Sequence, residues 1–158
     1  MAARLGNFAF VPADDTAEGD EQPVDALSKN RNEIGLANDA LVLAFMEAWE
    51  RRDAEFIIGC FTDDAVYHSM PLTPIVGKPA IAGWVRGFAG VPPGRLEVHH
   101  QVASADVVMN ERTDRITLNG RPVTLPMAGV FEMHEGRIAA WREYFDLTPA
   151  REAYSSPT

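Results

Sequence analysis

The stretch that decides the fold is "RLEVHHQVASADVVMNERTDRITLNGRPVTLPMAGVFEMHEGRIAAWREYFD", Arg95 to Asp146. Leu96, Val98, His100 and Val102 alternate with Glu97, His99 and Gln101, the period-two pattern of a strand with one face toward a core. A second strand covers Asp106 to Leu118, and Asn119–Gly120 is a strong hairpin signal. A third runs from about Pro122 to Met133, His134 to Gly136 makes another turn, and a fourth spans Arg137 to Asp146. The whole reads as a meander of long antiparallel strands. Inside it, "NERTDRITLNG" (Asn110 to Gly120) places Arg112 and Asp114 two apart, so both point to one face together with Val108, Asn110 and Ile116.

Upstream the period changes to that of helices. Asn38 and Asp39 offer an N-cap, and Leu41, Phe45, Ala48 and Trp49 recur at helical spacing, which predicts an amphipathic helix from about Asp39 to Arg52. Asp53 caps a shorter helix holding Phe56, Ile57, Cys60 and Phe61. Thr62 to Asp64 reads as a turn and Ala65 to Ser69 as a short strand, stopped by Pro71 and Pro74. "GKPAIAGWVRGF" gives a third helix, with Pro79 near its first turn and Ile81, Trp84, Val85 and Phe88 on one side. Helices first and a strand meander after them predict an α+β fold. In it a curved antiparallel sheet packs as a cone against about three N-terminal helices, with a pocket at its mouth.

Composition narrows the function. The chain has 158 residues, about one domain's worth, and 46% apolar residues, enough to bury a core. A net charge of −9 with no Lys/Arg cluster argues against nucleic acid or an anionic membrane surface as partner. The single Cys60 excludes an internal disulfide and a cysteine metal cage, and fits a reducing compartment. No apolar run reaches the roughly 18 residues of a membrane span, and Phe8–Val11 is too short for a signal peptide core, so a cytoplasmic protein is expected. Pro12 to Asp25 is acidic with little to bury. Residues 1–36 are therefore expected to form a flexible arm and residues 37–158 a single catalytic domain.

The polar residues whose strand parity can be followed are few. Trp141, Glu143 and Phe145 share a face of the last strand, and an acid between two large aromatics is unusual for a solvent face. Tyr67 and Ser69 share a face of the early strand. If these converge with Arg112 and Asp114, burial and mutual repulsion raise one carboxyl pKa, and the arginine fork bridges both acids. Such a set can take a proton from water and give one to a leaving oxygen. Against this stands the commoner arrangement, an Arg–Asp pair exposed on a solvent face and worth little. Glu143 could also pair structurally with Arg112 or Arg115, and Tyr67 could be a satisfied core tyrosine; spacing leaves these open. His99 and His100 are read as pointing to opposite faces, and no zinc spacing, phosphate loop or nucleophile elbow occurs. Met70, Trp84, Phe88, Leu118, Leu125, Met127 and Phe145 are candidates for an apolar lining, which would favour a small hydrophobic substrate.

"VYHSMPLTP", "NERTDRI" and "GRIAAWREYFDL", in this order and spacing, resemble the limonene-1,2-epoxide hydrolase family over roughly Asp39 to Leu147. The resemblance implies the cone fold shared with nuclear transport factor 2, ketosteroid isomerases and the small SnoaL-like polyketide cyclases. It also implies one-step opening of an epoxide to a diol by general acid–base catalysis, with no metal, no cofactor and no covalent intermediate. Carried over by position, Arg112 is the bridging arginine, Asp114 the acid that protonates the epoxide oxygen, and Glu143 the carboxylate that activates water. Tyr67 holds the water, and Ser69 occupies the position of a family asparagine. Glu143 stands where the family has aspartate. The implied partners are a small apolar, terpenoid-like epoxide, water and a second copy in a homodimer. An isomerase or aldol-type cyclase using Asp114 or Glu143 as base, and a non-catalytic module binding a lipophilic ligand, are the rival expectations.

Overall fold

The computed structural model describes residues 24–70 and 72–155. The chain order is α1 (Val24–Arg51), α2 (Ala54–Gly59), β1 (Phe61–Ser69), β2 (Ile75–Val76), α3 (Lys78–Gly87), β3 (Arg95–Ser104), β4 (Val107–Leu118), β5 (Arg121–His134), β6 (Arg137–Phe145) and α4 (Thr148–Ser155). The strands form one curved sheet in the order β2-β1-β6-β5-β4-β3. Neighbours are antiparallel except β1 and β6, which run parallel. This is the predicted α+β layout, with helices packed against a six-stranded, unclosed sheet.

The meander forms where the alternation places it. Asn119 and Gly120 both take positive φ, 50° and 73°, as a tight hairpin between right-twisted strands demands. Glu135 and Gly136 repeat the device at 48° and 68°. One element departs from strict alternation. The β3–β4 register shifts between Val98 and His100, so a bulge at His99 turns the rest of β3 over. Leu96 and Val98 face inward, but beyond the bulge Gln101 and Ala103 take the inner face, while His100 and Val102 turn out. The expected grouping of His100 and Val102 with Leu96 and Val98 is corrected by that one extra residue.

The first helix begins at Val24, so it includes residues that the sequence reading gave to the arm; residues 1–23 lie outside the described part. Asn38 and Asp39 are not its cap. They sit mid-helix and serve tertiary contacts: Asn38 Nδ2 donates to Ala105 O at 2.9 Å, and Asp39 Oδ1 accepts from Gln101. The buried stripe Asn38, Val42 and Phe45, flanked by the half-buried Trp49, continues back to Gly35, whose missing side chain lets the helix approach the Ala103–Ala105 backbone. Asp53 caps α2 as expected, its carboxylate accepting from Phe56 N. The first strand starts at Phe61, with a register break before Val66 in place of the expected turn. Sequence periodicity did not reveal β2 or α4.

The core is aromatic. Phe45, fully buried on α1, meets Trp141 edge-on with centroids 5.1 Å apart, and Phe131 stacks on the same indole at 5.6 Å. Each fully buried ring of this kind contributes roughly 2–3 kcal/mol from area alone. Tyr67 lies between Trp84 and Trp141, at 4.4 and 4.6 Å, which fixes the direction of its phenol. A second, smaller cluster packs Val123, Leu125 and Met127 of β5 against Ala153 of α4.

Candidate active site

The inner faces of β1, β4 and β6 bring the predicted set together. Arg112 is 1% exposed, Glu143 5% and Asp114 9%, so the R-x-D face is dry. Parity does this: Val108, Asn110, Arg112 and Asp114 alternate inward along β4, and Trp141 and Glu143 do so along β6. Arg115 takes the other face and approaches Glu97 at 3.7 Å, which removes it as a partner for Glu143.

The guanidinium is held on all sides. Its Nε donates to Asp114 Oδ1 at 2.9 Å and Nη2 to Asp114 Oδ2 at 3.3 Å, a two-pronged pair. Nη2 also donates to Glu143 Oε1, and Nη1 to Asn110 Oδ1 at 3.2 Å. Tyr67 Oη donates to the other Glu143 oxygen, Oε2, at 2.6 Å. Ser69 shares the inner face of β1 with Tyr67 and stands opposite Glu143 in the parallel β1–β6 pairing.

These contacts set the charges. Burial pushes the Asp114 carboxyl up to about 6; the neighbouring Arg112 opposes this, and Glu143 reinforces it. Burial and then the Glu143 carboxylate hold the Tyr67 phenol well above its ordinary value, so it stays a donor. Burial alone would lower the Arg112 pKa, but Glu143 and Asp114 more than reverse it, and the arginine stays charged. Either carboxylate alone still gives the guanidinium a counter-charge; only the loss of both would leave a buried cation unpaired.

The set lines a cavity of about 500 Å³, within the range of ligand sites. Trp84, Phe88, Leu118, Leu125, Met127 and Phe145 line it as expected. Met70 does not: it is 38% exposed, beyond the inward-facing end of β1. The sequence reading missed the far walls. Leu147 and Tyr154, from the C-terminal segment and α4, form one of them. Arg52 is another wall residue; its guanidinium donates to Phe88 O at 2.8 Å and to Pro92 O, tying down the segment after α3. Asn110 and Gly129 beside Arg112 were also missed. A glycine isolated within a strand pattern is the signal that could have flagged Gly129, because it marks close approach.

An α+β cone with a buried Asp–Arg–Glu set lining an apolar cavity is a fold of the nuclear transport factor 2-like class. Residues 36–154 match the limonene-1,2-epoxide hydrolase catalytic domain, and the chain belongs to that family. It is 32% identical over 106 residues to epoxide hydrolase EphG of Mycobacterium tuberculosis, an alignment covering 67% of this chain and 71% of the relative. An LEH-like epoxide hydrolase structure from M. tuberculosis superposes with a TM-score of 0.69 at 28% identity, over 75% of this chain and 90% of that one. A nuclear transport factor 2-like protein of Burkholderia pseudomallei shares the fold at a TM-score of 0.68 and 21% identity, over 76% and 98% of the two chains. The family makes the chain a hydrolase of the epoxide-hydrolase kind. No described helix is long and apolar enough to cross a membrane.

Proposed function

We propose that the chain adds one water to a small apolar epoxide of terpenoid-like character, in one step, giving a diol. The observation that carries this reading is the single buried guanidinium shared by Asp114 and Glu143, with an apolar cavity opening onto it. Glu143 is the general base. It removes a proton from water while the water oxygen bonds to an epoxide carbon. Asp114, with its raised pKa, gives its proton to the epoxide oxygen as the carbon–oxygen bond breaks. Arg112 touches both acids, and the proton gained by Glu143 is exchanged for the one lost by Asp114 before the next cycle. Tyr67 and Ser69 orient the attacking water beside Glu143. The balance is epoxide plus water to diol, and the chemistry as written calls for neither metal nor cofactor.

Incubation with limonene, styrene and cycloalkene oxides in heavy-oxygen water tests the reading. Hydrolysis puts one labelled oxygen in each diol. Turnover without label would make the chain an isomerase or cyclase. No turnover, with one lipophilic ligand raising the melting temperature, would make it a binding module.

Pairing of two copies and residence in the cytoplasm belong to the same proposal. The outer sheet face supports pairing. Val102 and Met109 oppose each other there at 66% and 47% exposure, next to Val130 and not far from Tyr144. Sedimentation at twice the chain mass would support it, and a monomer at micromolar concentration would refute it.

A further inference from the structure

Asn110 is 4% exposed and accounts for the edge of Arg112 that neither carboxylate touches. Its other amide atom continues inward. Asn110 Nδ2 donates to Gln101 Oε1 at 3.3 Å, and Gln101 Nε2 donates to both Asp39 O and Asp39 Oδ1, at 3.0 and 2.9 Å. The direction of this chain is not free. Both Asp39 atoms can only accept, so Gln101 must turn its NH2 toward them and its oxygen toward Asn110. Asn110 must then donate to Gln101, which leaves its oxygen, and not its NH2, facing the cation. Helix α1 thus fixes, through two amides, which atom meets the guanidinium. The bulge at His99 is what brings Gln101 to the inner face opposite Asn110. Gly129 leaves the space: a Cβ there would lie 2.7 Å from Asn110 Oδ1 and 2.8 Å from Arg112 Nη1.

We propose that Asn110, oriented by Gln101 and Asp39 and accommodated by Gly129, is a positioning residue for the hydrolysis: it sets the rotation at which Arg112 holds Asp114 and Glu143. This rests on the acid–base roles given above. Neither Asn110 nor Gln101 is among the residues lining the cavity, so both act through Arg112 and not on the substrate.

The test compares the full chain with its Asn110→Leu, Asn110→Asp, Gln101→Leu and Gly129→Ala variants. One readout is turnover of an epoxide that the parent hydrolyses. The other is the set of Arg112 side-chain N–H signals in nitrogen-15 labelled protein, assigned by their loss in Arg112→Lys. Asn110→Leu and Gly129→Ala should lower kcat about tenfold or more with KM within about twofold, the signature of misplaced chemistry. Asn110→Asp keeps an acceptor on Arg112 and should recover part of that loss. It should also move the limb of the pH profile governed by Asp114 upward, since a third carboxylate beside the cation competes for it. Gln101→Leu should lower kcat about threefold and speed exchange of the Arg112 Nη protons. Folded Asn110→Leu with parental kcat, pH profile and Arg112 signals would overturn the proposal. If that variant does not fold, the same parental result in Gln101→Leu overturns it. A parent that hydrolyses no epoxide refutes the proposed function instead, and the Arg112 signals alone then decide the positioning role.

Discussion

Ser69 and Glu143 face each other directly across the parallel β1–β6 pair, both buried, at 8% and 5% exposure. A short hydroxyl stands where the family pattern has an amide, and a long carboxylate stands where it has a short one. The two departures are adjacent in space and opposite in reach. The longer acid meets Tyr67 Oη at 2.6 Å and still contacts Arg112.

Shortening that acid should therefore do harm here. Glu143→Asp withdraws the carboxylate by about 1 Å from the phenol and guanidinium, a displacement that costs on the order of 10²-fold in kcat. Adding Ser69→Asn should restore at least about tenfold of the loss, because sites in contact do not act additively. Steady-state kinetics of the two single variants and the double variant check this. An additive double variant would show that the pair is uncoupled.

The acid role of Asp114 sets a pH dependence. Burial holds its carboxyl at about 6, and only the protonated form can deliver a proton to the epoxide oxygen. The parental kcat/KM should fall as pH rises through about 6, approaching tenfold per pH unit. Asp114→Asn should lose this limb together with most of the rate. A parental profile that is flat through that region would remove Asp114 as the acid.

The same shift has a sign for stability. The folded protein keeps the Asp114 proton up to about 6, whereas the unfolded chain releases it near the ordinary carboxylate value of 3.8. Between these values the folded state binds more protons, so Asp114 makes the fold less stable as pH rises, and the effect levels off above about 6. The unfolding free energy of the parent minus that of Asp114→Asn should fall by roughly 3 kcal/mol across the window. Urea titrations at both ends measure it, and parallel pH dependences of the two proteins would contradict it.

How much of this was legible in the sequence follows from how local each signal is. Arg112, Asp114 and Glu143 lie on long alternating strands, and their common inward direction needs no more than a count of two. Gln101 was read as a solvent-side residue because the bulge at His99, which reverses β3, leaves no mark in the alternation. The relay from Asp39 to Asn110 joins residues 62 and 9 positions apart, and no periodicity encodes such a contact. Asn38 and Asp39 looked like a helix start since their side chains cap well; the fold spends them on β3 and its turn instead. The parallel β1–β6 pairing, which carries Tyr67 and Ser69 to Glu143, was expected from neither strand parity nor resemblance; the resemblance grouped these residues without saying how the strands meet.

The central claim is that Glu143 takes the proton from water. Glu143→Gln keeps the size of the side chain and one oxygen for Arg112, with its NH2 turned to the Tyr67 oxygen, but cannot accept that proton. Diol formation measured with purified, folded Glu143→Gln should drop about 10³-fold or more below the parent, while circular dichroism stays parental. Hydrolysis at the parental rate by the folded variant would contradict the account.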